Sequence, residues 1–135
     1  MAVRTALRVH LPHRSDVVMK VLKSLANEGI RLDLFAGIAS ASERASIAEI
    51  LTTDPLHAAA VLRAAELPVE EVQVVLAWLP NVPACLAEAC ETLGAAGIHV
   101  QSACVVAVDS ERGQQIMIES PDAQRADQLL WALRY

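Results

Sequence analysis

Apolar residues at Leu7, Val9 and Leu11 recur with the period of two expected of a strand, and Val75, Ala77 and Leu79 repeat the pattern. A short loop follows each, His13-Arg14-Ser15-Asp16 in one place and Asn81-Val82-Pro83-Ala84 in the other. The period then lengthens to that of a helix, through Val18, Val21, Leu22 and Leu25 and again through Leu86, Ala89, Cys90 and Leu93. Gly29 and Gly97 stand where a left-handed helix cap wants glycine. Alternation returns from Ile30 through Leu32, Leu34, Ala36 and Ile38, and from Ile98 through Val100, Ser102, Cys104 and Val106. Ser42-Glu43-Arg44 and Ser110-Glu111-Arg112, the latter followed by Gly113, read as hairpin turns, with third strands through Ala48 and Ile50 and through Ile116 and Ile118. Asp54-Pro55 and Pro121-Asp122 open a second helix in each half, with Leu62 and Leu130 on its buried side.

The two halves are one pattern written twice. An ungapped offset of 68 pairs Leu11 with Leu79, Pro12 with Pro80, Gly29 with Gly97, Ser42-Glu43-Arg44 with Ser110-Glu111-Arg112, and Leu62 with Leu130. Each half predicts strand, helix, strand, strand, helix, and Val69 to Val74 supplies a further strand joining the copies. The order is that of an α+β, ferredoxin-like βαββαβ unit, an antiparallel sheet with both helices on one face. The expected division is 1–68 and 69–135, and the second unit lacks or shares its last strand, which leaves a sheet edge open for a partner. On the face away from the helices the second copy would present Val74, Leu76, Trp78, Ala103, Val105 and Met117, and the first would present Thr5 through Arg8 and His10 with Asp33, Phe35 and Glu49. A face as apolar as the former predicts cover by sheet-on-sheet packing, within the chain or in a homodimer.

Composition adjusts this picture modestly. At 135 residues the chain fits one ordinary domain or two small ones, and an apolar fraction of 54% with only 3% aromatics makes the core aliphatic. A net charge of −5, with scattered Lys and Arg, argues against nucleic acid and against an anionic membrane surface. The N-terminal residues lack the pattern of a secretory signal and no apolar run is long enough to span a bilayer, so a cytoplasmic protein is expected. Three cysteines without framework spacing fit a reducing compartment.

The strand ending Leu79-Pro-Asn-Val-Pro-Ala, the helix after it, and Gly97-Ile-His-Val opening the next strand resemble the ACT domain pattern, Asn-x-Pro-Gly, a Leu-rich helix, and Gly-Ile-Asn-Ile. The resemblance covers nearly the whole chain as two tandem copies. It implies a regulatory module that binds a small ligand, commonly an amino acid, without catalysis or cofactor. Carried over, Asn81 matches the family's ligand-holding asparagine, Pro83 its proline, Ala84 its glycine, and His99 the polar residue opening the following strand. Leu79, Val82, Cys85 and Leu86 complete the expected site. Physical reasoning agrees, since N–H groups at a helix start favour a carboxylate and Asn81 offers both a donor and an acceptor. The first copy has lost this loop, leaving His13, Arg14, Ser15, Asp16 and Arg31 as weaker candidates. Ligand would bridge the Asn81 loop and a neighbouring unit's strand around His99 or Arg31.

Other chemistry is less favoured by the spacing. Cys85 and Cys90 stand about 140° apart around a helix, which prevents joint metal binding or an easy disulfide. Cys90 replaces an apolar position and reads as core, as does Cys104; Cys85 lies in a first helical turn where the dipole can lower a thiol pKa, but Val17 stands there in the first copy and a buried, unreactive cysteine is the favoured reading. His10, His13, His57 and His99 come from separate places and predict no metal site. Glu66, Glu70 and Glu71 read as a solvated linker, and no Gly-rich phosphate loop or catalytic triad pattern is present. The alternative to a ligand sensor is a ligand-free assembly module of the same fold.

Overall fold

The computed structural model describes residues 2–12, 15–40 and 45–133. Its elements are β1 (Ala2–Pro12), α1 (Ser15–Asn27), β2 (Leu32–Ser40), β3 (Ala45–Thr52), α2 (Pro55–Ala64), β4 (Val69–Leu79), α3 (Cys85–Ala95), β5 (Ser102–Asp109), β6 (Gly113–Glu119) and α4 (Ala123–Trp131). This is the α+β, ferredoxin-like arrangement that the periodicity predicts. The chain forms two compact units, Thr5–Val72 and Met1–Arg4 together with Gln73–Tyr135. β1 and β4 each contribute residues to both units.

In the unit Thr5–Val72 the strand order is β2-β3-β1-β4, with Leu7 opposite Ile50 and Ile50 opposite Phe35. In the other unit the order is β1-β4-β6-β5, with Ala77 opposite Ile116 and Ile116 opposite Val105. The first residues of β1 take the fourth-strand place in this unit, and Val3 packs against its core.

The two cores repeat residue by residue. Leu7, Val9, Leu11, Val17, Val21, Leu25, Ala48, Ile50, Ala58 and Leu62 form one, and Val75, Ala77, Leu79, Cys85, Ala89, Leu93, Ile116, Ile118, Ala126 and Leu130 occupy the equivalent places in the other. The helical seam therefore runs through Val17, Val21 and Leu25 and through Cys85, Ala89 and Leu93. Cys85 is a core residue in Val17's place, as the repeat suggests, while Cys90 is only half-buried and not the core residue expected.

Gly29 and Gly97 have positive φ, and Ile30 and Ile98 donate from their backbone N–H to the carbonyls of Leu25 and Leu93, at 3.0 and 2.9 Å. These six-to-one bonds are those of a Schellman cap. Ile30 and Ile98 thus finish the helix caps, and β2 and β5 begin later than expected, at Leu32 and Ser102. Bulges between Leu32 and Leu34 and between Val105 and Ala107 shift the alternation further. Phe35 consequently turns to the helix side, where it packs against the first core. Cys104 lies opposite Met117 on the far face, and Ala103 and Val105 share the face of Ile118 and Ile116, the reverse of the expected assignment.

The far face itself is less bare than its composition suggests. Val74, Leu76 and Met117 are 1%, 7% and 2% exposed, and the Arg112 guanidinium sits 5.7 Å from the Trp78 ring centroid. Their apolar character does not by itself require a second chain. Asp54 caps α2 by accepting a 3.3 Å bond from the His57 N–H, whereas Asp122 makes no equivalent side-chain bond for α4. The Ser42-Glu43-Arg44 turn lies outside the described residues; Ser110-Glu111-Arg112 forms the turn between β5 and β6.

One substitution separates the two cores. Asp127 stands where the first copy buries Ala59, and its Oδ1 is buried with no hydrogen-bond partner among the described residues. Asp127→Ala is expected to stabilise the fold by about 1 kcal/mol, because desolvating an unpaired polar atom costs about that much or more. A urea titration reads the effect as a raised midpoint, and an unchanged or lowered midpoint contradicts it.

Candidate functional site

Pro80 follows β4 and has no N–H, so it ends the ladder after Leu79. Val82 then donates to the Pro80 carbonyl at 2.9 Å and Cys85 to the Val82 carbonyl at 3.1 Å, which turns the chain into α3. The helix starts at Ala84 without a side-chain cap, so of its first-turn N–H groups that of Cys85 is bonded to the loop and those of Leu86 and Ala87 have no capping side chain. Asn81, Val82, Pro83 and Ala84 are exposed. The Asn81 carboxamide is oriented by Gln114, whose Nε2 donates to Asn81 Oδ1 at 2.9 Å. That leaves the Asn81 amide hydrogens for a guest.

The β5–β6 turn is seated against this loop. Asp109 Oδ1 accepts from the Glu111 and Arg112 N–H groups at 2.8 and 2.9 Å, and these bonds hold its carboxyl below the usual aspartate range. Gly113 follows at φ +100°, and a Cβ there would overlap the Leu79 carbonyl and come within 3.3 Å of the Asn81 nitrogen. Only glycine permits this approach.

A cavity of about 190 Å³ opens at the helix start, lined by Leu79, Pro80, Val82, Cys85, Glu88 and Leu133. Its lining residues are apolar apart from Glu88, which is exposed. Burial, and then the negative charge of Glu88, push the Cys85 thiol up from its ordinary value. Cys85 is thus a buried wall of the cavity, the reading that the repeat favours over a reactive thiol.

Of the remaining expected residues, Leu86 packs partly buried against the second core. His99 is exposed beyond the other end of α3, and an eleven-residue helix puts roughly 16 Å between the two ends. In the first unit His13, Arg14 and the side chain of Ser15 lie outside the described residues, Asp16 meets Lys20 Nζ at 3.5 Å, and Arg31 is exposed past the far end of α1. Sequence reasoning missed Pro80, Glu88, Leu133, Gln114 and Gly113 as parts of the site. Glu88 had a legible signal, since it follows Cys85 by three residues on a helix. Gln114 becomes visible only through its register opposite Leu79. Among the described residues, no group of three or more His, Cys, Asp or Glu could hold a metal ion. His10 instead faces Glu70 at 3.0 Å, and His57 lies 3.5 Å from Glu28 and 3.6 Å from Asp54. No helix among the described residues is long and apolar enough to cross a membrane.

No protein-family model matches the sequence, and neither does any curated protein. Solved structures do match. Protein BT0572 from Bacteroides thetaiotaomicron superposes with a TM-score of 0.82 at 23% identity, over 96% of this chain and 88% of that one. The ligand-free regulatory subunit of aspartate kinase from Thermus thermophilus superposes with a TM-score of 0.68 at 17% identity, over 98% and 95%. The corresponding subunit from Thermus flavus gives 0.65 at 15%, over 98% and 97%. With βαββα order repeated in the two units, a fourth strand place filled in each by β4 or β1, and these likenesses in overall path, the chain has the ferredoxin-like α+β fold of these structures.

Proposed function

We propose that this protein is a non-catalytic regulatory module that binds an amino acid or similar small carboxylate at the Asn81 loop and the start of α3. The observation that carries the reading is the cavity at an uncapped helix start, beside an asparagine whose amide hydrogens are left available. There the N–H groups and helix dipole favour the carboxylate, Asn81 donates to it, and the apolar walls take the remainder of the guest. The structural likeness to regulatory subunits of aspartate kinase supports a sensing role. Binding would bias a conformational or association equilibrium sensed by a regulated protein or a second copy of the chain.

A thermal-shift screen of the proteinogenic amino acids tests this, because a ligand that prefers the folded state raises the melting temperature. At least one amino acid is expected to raise it, by about 2.7 kcal/mol of stabilisation at one hundred times its Kd. Asn81→Ala should abolish that shift; a shift that survives places the site elsewhere. A second reading, a ligand-free assembly module, draws on the exposed apolar side chains Val105 and Val108 of the terminal strand β5. No shift with any amino acid, together with self-association in sedimentation, would favour assembly.

A further inference from the structure

The repeat places an internal reference beside the cavity. In the first unit a space of about 400 Å³ is lined by Pro12, Val17, Lys20, Val21, Ser24, Ala65, Glu66 and Leu67. Pro12, Val17, Lys20 and Ala65 are the counterparts of Pro80, Cys85, Glu88 and Leu133, so four wall positions of the smaller cavity recur. The apolar positions keep their character, but the charge at the mouth reverses from Lys20 to Glu88. Lys20 also has a local partner in Asp16, 3.5 Å away, whereas the equivalent position to Asp16 is Ala84, which has no charge to offer.

We propose that Glu88 makes the cavity at the start of α3 a subsite for a small apolar molecule bearing an ammonium group, so that the unit selects neutral amino acids and amines over dicarboxylates. The proposal rests on the ligand-binding reading above and names the class of guest. Size limits it as well: at the ~30 Å³ that a water molecule occupies in liquid, about 190 Å³ accommodates roughly six non-hydrogen atoms. A carboxylate side chain entering this space would meet Glu88 as well as apolar walls that cannot hydrogen-bond it. Glu88 also lies close enough to Cys85 for its negative charge to add to the upward push that burial gives the thiol.

Methyl NMR of the whole chain tests this with two probes that share a propyl chain and differ in charge, propylammonium and butyrate. Propylammonium is expected to shift the methyl signals of Leu79, Val82 and Leu133 and to leave those of Val17 and Val21 in place, and butyrate to bind more weakly. Glu88→Gln should weaken propylammonium about threefold to fivefold, the range of an exposed charge contact. Glu88→Lys, which reproduces the first unit's charge, should turn the preference toward butyrate. Unmoved Leu79, Val82 and Leu133 signals, or equal binding of propylammonium to wild type and Glu88→Gln, overturns the proposal. An amino-acid thermal shift that favours aspartate or glutamate over neutral amino acids also overturns it, while leaving the ligand-binding reading intact. Propylammonium binding as described, with no shift from any amino acid, leaves the subsite standing and removes the amino-acid reading.

Discussion

Gly113→Ala is expected to lower the unfolding free energy by about 3 kcal/mol, the upper range for a residue forced into a strained backbone region, and to disorder the Asn81 loop. Two costs add at this position. The φ of +100° is one that L residues rarely adopt, and the new Cβ would overlap the Leu79 carbonyl, a backbone atom that cannot swing aside. Relief requires the β5–β6 turn to withdraw from the end of β4. Gln114 moves with it, so the 2.9 Å bond that orients Asn81 is lost in the same step. Gly94→Ala is the matched control, because this glycine lies inside α3 with nothing within 4 Å of its absent Cβ. There alanine should stabilise by about 0.5–1 kcal/mol through helix propensity. Urea titrations of the two variants should move in opposite directions. A Gly113→Ala midpoint equal to wild type would show that the turn does not press on the loop.

That turn marks the limit of what the sequence could disclose. Glycine after Ser110-Glu111-Arg112 signals a hairpin turn, and the structure has one. Nothing local says that the turn touches Asn81, because the contact depends on the pairing of Leu79 with Gln114 across two strands. The same contrast holds through the fold. An ungapped repeat disclosed the element order and the paired cores, since equal spacing imposes equal burial on Leu25 and Leu93 or Leu62 and Leu130. It could not disclose the bulges that turn Phe35 toward the helices and Cys104 away from them, because a bulge changes register without changing composition. Cys90 was misassigned for a related reason: it fits an apolar stripe, and which side of α3 meets the sheet decides that Cys85, in Val17's place, takes the core position instead. The loop residues Asn81 and Val82 were legible, while Leu133, forty residues or more from the rest of the wall, reaches it only through the tertiary fold.

The repeat also supplies the most direct way to locate the ligand. Leu25 and Leu93 are equivalent residues, each fully buried in its own core, so Leu25→Ala and Leu93→Ala remove the same atoms from the two units. Each is expected to cost about 3–5 kcal/mol, the transfer of the lost methyl groups plus the cavity left behind. Their effects on ligand should differ. Leu93 holds α3 against the sheet and accepts the Ile98 capping bond through its carbonyl, so a void beneath it lets the helix shift and misplaces Cys85, Glu88 and the helix start together. Leu25 supports α1, which bears none of the wall residues of that cavity. At matched destabilisation in urea, Leu25→Ala should retain the amino-acid thermal shift and Leu93→Ala should lose most of it. Leu93→Met, which keeps nearly the full side-chain volume, should restore it. Loss of the shift in Leu25→Ala with retention in Leu93→Ala would move the site to the first unit, with the lysine-bearing cavity in place of the glutamate-bearing one. Equal behaviour of the two variants would mean that ligand senses the stability of the whole chain and not the geometry of α3.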